Sequence, residues 1–292
     1  MKDLRASAKL IAVVGDPVAH SMTPTIQNSE LERLGLDTRN VAFHVRPDKF
    51  AEALCGAQAL GILGFMVTIP HKHIAFELAD EVDELAGMVE AANLLHFGDD
   101  GKVRAYNTDG GGASESLRRV GVSVRGRKVT LLGAGGAGRC LAFQCALAGA
   151  AEIGLFNRTP QRGAEVAREV EVKASFPHIK AYSLDGEALE ASLADADLLI
   201  NATSIGMAPD VDESLIPANL HWPDLIVFDI VYNPLETKLL REARAVGAKA
   251  VDGVGMLVHT NVRAVEICLG VTPSFDHMRD LCVAELMKRR DY

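Results

Sequence analysis

The run Gly133-Ala134-Gly135-Gly136-Ala137-Gly138 fits the spacing G-x-G-x-x-G. It follows an apolar stretch at 129–132 and opens an amphipathic one at 137–148, the setting this motif requires. The first glycine permits a tight turn, the second lets the backbone approach a pyrophosphate, and the third lets helix and strand pack closely. The start of the helix then offers unpaired N–H groups and the positive end of its dipole to the anion. A dinucleotide is the expected ligand.

The end of the next apolar stretch chooses between the two common dinucleotides. NAD sites carry an acidic residue about 20 positions further on, which bonds the ribose 2′-hydroxyl. Here the stretch 153–156 runs into Asn157-Arg158-Thr159, with Arg162 one turn later and no acid among them. A carboxylate would repel a 2′-phosphate. Arg158 can pair with that phosphate and lay its flat guanidinium on the adenine, and Thr159 adds a hydroxyl. The composition favours NADP(H) over the plainer reading, in which Arg158 and Arg162 only solvate a loop and a helix face. Lys72 and Asp109 have the side-chain types that move and steer a proton. Their spacing alone leaves open whether they form a catalytic pair or a plain ion pair.

These residues need a scaffold, and the hydrophobic pattern supplies one. Short apolar runs alternate with amphipathic stretches along nearly the whole chain, as in parallel α/β proteins. The pattern predicts strands at 9–15, 40–45 and 61–69, helices at 23–34 and 48–60, and two further helical stretches up to Ala92. A hairpin follows at 94–97 and 102–106, joined by Gly98-Asp99-Asp100-Gly101, residues that tight turns favour. The glycine-rich segment 107–112 reads as a loop and a hinge. A second series begins at Lys128, with strands at 129–132, 152–156, 198–200 and 225–230 and helices at 137–148, 160–170 and 235–246. Two closing helices, 256–269 and 274–290, could pack on either half.

Length and charge bound the rest. A chain of 292 residues is long for one hydrophobic core, so two domains are expected. The apolar fraction of 48% with 24% charged residues is globular rather than disordered, and the net charge of −9 argues against a nucleic-acid partner. The five cysteines form no C-x-x-C pair and read as reduced, buried thiols of a cytoplasmic protein. No signal-peptide core opens the sequence and no apolar run reaches the length of a membrane span, so no membrane partner is expected.

Further segments carry a resemblance. Gly15-Asp16-Pro17-Val18-Ala19-His20-Ser21, Val67-Thr68-Ile69-Pro70-His71-Lys72, Ala92-Asn93 and Asn107-Thr108-Asp109-Gly110 precede the glycine loop. Asn201-Ala202-Thr203-Ser204, Tyr232-Asn233-Pro234 and Asp252-Gly253-Val254-Gly255-Met256-Leu257 follow it. In this order they resemble the shikimate/quinate dehydrogenase family over nearly the whole chain. The resemblance implies an α/β fold of two lobes. A Rossmann-type doubly wound NADP-binding domain would span 110–251, and an α/β substrate-binding domain would combine 1–109 with 252–292, the C-terminal helices returning to the first lobe.

It also implies reversible hydride transfer between NADP(H) and a secondary alcohol of a cyclic polyhydroxy acid, shikimate and its 3-dehydro ketone being the type case. The alcohol must lose its proton as hydride leaves, so a positioned acid/base is needed. By resemblance Lys72 would serve, with Asp109 orienting it and holding the adjacent hydroxyl. Ser21 and Thr23 would bind the substrate carboxylate, and Thr68, Asn93, Tyr232 and Thr260 its remaining polar groups. Gly133, Ala134, Gly135, Gly136, Ala137, Gly138, Asn157, Arg158, Thr159, Arg162, Thr203, Gly253 and Met256 would hold the cofactor. The partner is a small molecule, the chain acting as a monomer or homodimer without a metal.

Four positions depart from the family pattern. Met66 stands for the Asn before V-T-x-P, Leu94 for the Thr of A-V-N-T, Thr260 for a Gln after G-M-L-V, and Thr23 for the second Ser of the first loop. Met66 replaces an amide with a thioether, a weak hydrogen-bonding group. Lys72, Asp109, Asn93 and Ser21 are spared. The reaction type is therefore expected to hold and the substrate to shift, giving a divergent member that is slow on shikimate or prefers quinate or an amino-substituted analogue. Two alternatives stand beside it: a quinate/shikimate dehydrogenase using NAD, which Arg158 argues against, and a non-catalytic NADP-binding sensor, which has no use for both Lys72 and Asp109. His71 and His73 read as exposed helix-start residues, the acidic run 80–84 as a solvated helix face, Met88 and Met256 as core, and Cys140 and Cys145 as inert packing.

Overall fold

Apolar and β-branched residues fill the first strand, β1 (Lys9–Gly15), and its last five residues are all buried, as in a strand covered on both faces. The computed structural model describes residues 5–184 and 187–289 and divides them into two compact units. One consists of the described residues up to Thr108 together with Val258–Ala284; the other is Asp109–Leu257 with the described residues from Glu285 onward.

In the first unit β1 is followed by α1 (Thr23–Arg33), β2 (Thr38–His44), α2 (Phe50–Ala59), β3 (Gly64–Val67), α3 (Lys72–Glu77), β4 (Glu81–Val82), α4 (Glu84–Val89), and the hairpin β5 (Leu94–Phe97) and β6 (Val103–Tyr106). The sheet order is β2-β1-β3-β5-β6-β4. β1 runs parallel to β2 and β3, while β5 is antiparallel to both β3 and β6. Alternation along β1 divides the core. Ala12 and Val14 face the cluster of Phe50, Phe65 and Phe97, whereas Ile11 and Val13 face Met66, Leu94, Ala264 and Cys268.

The second unit carries α5 (Thr108–Arg119), β7 (Lys128–Leu132), α6 (Gly136–Leu147), β8 (Glu152–Asn157), α7 (Pro160–Lys173), β9 (Ile179–Ser183), α8 (Glu187–Ala194), β10 (Leu198–Asn201), β11 (Ile226–Asp229), α9 (Lys238–Ala245) and β12 (Lys249–Val251). Its sheet is all parallel in the order β12-β11-β10-β7-β8-β9. The winding reverses between β7 and β10, and such a switch point opens a crevice at the strands' carboxyl ends. α10 (Gly253–Leu269) and α11 (Phe275–Arg289) follow, and divisions between the units fall inside both, after Leu257 and after Ala284.

The segment 107–112 is not the expected loop: it enters α5 at Thr108. Three glycines disfavour a helix, but Asp109, Gly110, Gly112, Ala113, Ser116 and Leu117 are buried at helical spacing, and packing of that face prevails. β9, α8 and β12 form where no element was expected, and β4 is a strand inside a stretch expected to be helical, because it pairs with β6. The predicted end of the last helix, Arg290, lies outside the described residues. Among the described residues no helix is long and apolar enough to cross a membrane.

Candidate active site

In the first unit the residues expected to bind substrate gather at one end of the sheet. β1 ends at Gly15, β3 at Val67, and the antiparallel β5 begins at Leu94, so the 16–21 loop, Thr68 and Asn93 emerge together. Val67 N–H donates to the Asn93 carbonyl (2.8 Å) and Thr68 N–H to that of Val14 (3.0 Å). Gly15 lets β1 approach Thr68 closely: a Cβ there would fall 2.4 Å from Thr68 Cγ2, so that side chain would have to move. Thr23 opens α1, buried, and its N–H donates to Ser21 Oγ (3.3 Å).

Asn93 and Thr108 bond reciprocally. Asn93 Nδ2 donates to Thr108 Oγ1 (2.9 Å) and Asn93 Oδ1 accepts from Thr108 N–H (2.8 Å). Asn107 Nδ2 donates to the Ala91 carbonyl (3.0 Å), and both Asp83 oxygens accept from Asn107 N–H (3.3 Å). Asp83 also caps α4 by accepting from Ala86 N–H (2.7 Å). The acidic run is therefore not a solvated helix face. Asp80 likewise accepts from Val103 N–H (2.8 Å), and Glu81 pairs with Lys102 and Arg104 beside β4.

Lys72 begins α3, half-buried, its carbonyl accepting from Ala92 N–H (2.8 Å). His71, expected to be exposed, is buried instead. It stacks on Phe50 with ring centres 4.8 Å apart, and its Nε2 lies 2.6 Å from the Val45 carbonyl. His73 is exposed and meets the Glu90 carbonyl. Thr260 is buried on α10 beside His259, which stacks on Phe275. Met66 and Leu94 are direct cross-strand partners on β3 and β5 within one apolar cluster, so these two departures form a single apolar pair. Gln27, fully buried, donates to the Met66 sulfur (2.9 Å).

In the second unit the cofactor candidates line the carboxyl ends of the parallel strands. Gly133 has φ +100°, and a Cβ there would fall 2.9 Å from Thr203 Cγ2; one on Gly138 would fall 1.9 Å from the Gly133 carbonyl oxygen. Nothing lies within 4 Å of a Cβ on Gly135 or Gly136, at the start of α6. The loop thus packs tightly where the fold needs it and stays open where a pyrophosphate would approach. Asn157 supports it by accepting from Ala134 N–H (3.0 Å), while Arg158, Thr159 and Arg162 are exposed at the end of β8. These residues fit NADP(H). A Cβ on Gly253 would fall 2.3 Å from the Ile230 carbonyl oxygen, and Met256 is buried on α10. Asp109 is buried as the second residue of α5, and Tyr232 follows β11, half-buried. Burial pushes the Cys145 and Cys268 thiols up to about 12, which leaves them unreactive. Cys55, against expectation, is exposed on α2.

Comparison with known proteins decides the family. The family model for the shikimate dehydrogenase substrate binding domain matches residues 13–95, and that for shikimate/quinate 5-dehydrogenase matches 115–231. A protein of Methanosarcina barkeri named shikimate dehydrogenase (NADP(+)) is 43% identical over 93% of this chain and 96% of its own length. The chain belongs to the shikimate dehydrogenase family. Solved members superpose over nearly the whole fold. A shikimate dehydrogenase in complex with NADP+ has a TM-score of 0.91 at 37% identity, covering 97% of this chain and 98% of its own. The shikimate dehydrogenase of Thermus thermophilus in complex with NADP(H) and shikimate has a TM-score of 0.83 at 32% identity, covering 94% and 98%. Within this shikimate dehydrogenase fold, Asn201 Nδ2 donates to Asp229 Oδ1 (3.0 Å) and links the ends of β10 and β11; the sequence marks Asn201 only as part of a motif and Asp229 not at all, and the signal for both was their place at the ends of apolar strands.

Proposed function

We propose that the protein is a cytoplasmic, NADP-dependent oxidoreductase that interconverts shikimate, or a close cyclic polyhydroxy acid, and its 3-dehydro ketone. The observation that carries this reading is the match to NADP-dependent shikimate dehydrogenases along nearly the full length of both chains. Bound NADP(H) supplies the hydride acceptor or donor. Lys72 exchanges the proton with the alcohol oxygen, and Asp109 accepts from the neighbouring hydroxyl. Ser21 and Thr23 hold the carboxylate. Thr68, Asn93, Tyr232 and Thr260 hold the other polar groups, and an analogue lacking a hydroxyl leaves them unpaired. Arg158, Thr159 and Arg162 would hold the 2′-phosphate of the cofactor, and the open backbone at Gly135 and Gly136 would hold its pyrophosphate.

The Met66–Leu94 pair leaves the reaction type intact and bears on the substrate. Initial rates on shikimate and quinate, each with NADP+ and with NAD+, test the reading. NADP+-dependent turnover of a cyclic acid is expected. Efficient turnover of shikimate would remove the case for a shifted substrate, and turnover with NAD+ alone would overturn the cofactor reading.

A further inference from the structure

Asp229 ends β11 with its side chain fully buried. Its Oδ1 accepts from Asn201 Nδ2 (3.0 Å) and from Val231 N–H (3.0 Å), and its Oδ2 accepts from the Thr237 hydroxyl (2.6 Å). One carboxylate thus ties the ends of β10 and β11 to Thr237, which caps α9 by accepting from Leu240 N–H (3.3 Å). All three donors are neutral. A buried carboxylate without a cation is a costly way to satisfy them, and burial accordingly pushes the Asp229 carboxyl up to about 6.

The network continues toward the glycine loop. Asn201, held by Asp229, accepts at its Oδ1 from the N–H (3.1 Å) and the hydroxyl (2.7 Å) of Thr203. Thr203 Oγ1 accepts in turn from Ile205 N–H (3.1 Å). Thr203 is the side chain lying against Gly133, where there is no room for even a methyl group. A shift of Thr203 would therefore be passed directly to the first turn of the glycine loop.

We propose that Asp229 is a positioning residue for the dinucleotide: through Asn201 it holds Thr203 against Gly133 and so fixes the shape of the glycine-loop cradle. The proposal rests on the NADP reading above. Asp229 acts at one remove, and its effect belongs to cofactor affinity rather than to the proton transfer.

The test uses the full chain with Asp229→Ala, Asn201→Ala and the double variant. NADPH binding is followed by fluorescence, and KM for NADP+ and kcat by absorbance with shikimate. Each single variant should bind NADPH about tenfold more weakly, as expected for one hydrogen bond to a charged group. The double variant should be no weaker than Asn201→Ala alone, and the loss should appear in KM for NADP+ rather than in kcat. Unchanged affinity in Asp229→Ala, or losses that multiply in the double variant, would overturn the relay. If Asp229→Ala fails to fold, wild-type NADPH affinity in Asn201→Ala overturns it equally. A wild type that binds NADH and not NADPH would sink the NADP reading alone, and the relay would then be read on NADH.

Discussion

Two glycines of one loop should fail in opposite ways when replaced by alanine. At Gly138 an added Cβ would sit 1.9 Å from the Gly133 carbonyl oxygen and 2.7 Å from its carbonyl carbon, both backbone atoms. Ordinary contact begins near 3.4 Å, so α6 and the loop would have to part by roughly 1.5 Å. Overpacking of this kind costs about 1–3 kcal/mol, and each kcal/mol lowers the melting temperature of a unit this size by about 2–4 °C. At Gly135 nothing lies within 4 Å of the added Cβ, and φ is −75°, which alanine accepts. There the folded protein loses only a slightly better N-cap, a few tenths of a kcal/mol up to about 1. The proposed site puts the pyrophosphate in the space before Gly135, so on that reading the same methyl group should obstruct NADPH. Gly138→Ala is expected to melt several degrees early without cofactor. Gly135→Ala should melt close to wild type yet bind NADPH about tenfold more weakly or worse. Thermal unfolding without cofactor and fluorescence titration with NADPH separate the two. Wild-type NADPH affinity in Gly135→Ala would refute the placement of the pyrophosphate.

Other perturbations follow from the same geometry. Arg158→Glu should weaken NADPH by about 10–100-fold, since a charge-assisted pair becomes a repulsion, and should weaken NADH far less, through the lost stacking on the adenine alone; parallel titrations that fall together would contradict this. Asn93→Ala removes the acceptor of the buried Thr108 N–H and should cost about 1–3 kcal/mol in denaturant unfolding, so an unmoved midpoint would count against the reciprocal pair. Burial alone would raise the Glu30 carboxyl, but hydrogen bonds from Arg33 and Ser274 N–H outweigh it and hold the folded pKa below 4.5. Its contribution is therefore complete above the unfolded value near 4.5 and is lost as pH falls through the lower folded value. Stability of Glu30→Gln should fall less steeply than wild type on the acid side, and equal slopes would refute the assignment.

The sequence was most legible where structure is decided locally. The glycine loop, the Gly98–Gly101 turn and helices such as α1, α2, α6 and α7 depend on residues close in the chain, and they form where the pattern predicts. Tertiary contacts wrote the rest. The three glycines after Asn107 look like a hinge until α5 buries that face with Ser116 and Leu117. His71 looks exposed at a helix start until Phe50 and the Val45 carbonyl enclose it. β4 is two residues long and exposed, and it exists because β6 pairs with it. Met66 and Leu94 read as two separate departures, and only the β3–β5 register makes them one apolar pair. The roles of Asn201 and Asp229 likewise lie in three-dimensional hydrogen bonding between strand ends, for which a linear motif has no term.

The function proposed for this chain stands or falls with Lys72 carrying the proton in an NADP-dependent oxidation of a cyclic hydroxy acid. Absorbance at saturating NADP+ and shikimate, for wild type and Lys72→Ala, tests it most directly when NADPH affinity is measured on the same preparations. Turnover should fall by about 10²–10⁴, the usual range for a general acid/base, while NADPH binds as in wild type. Turnover in Lys72→Ala within a few-fold of an active wild type would contradict it.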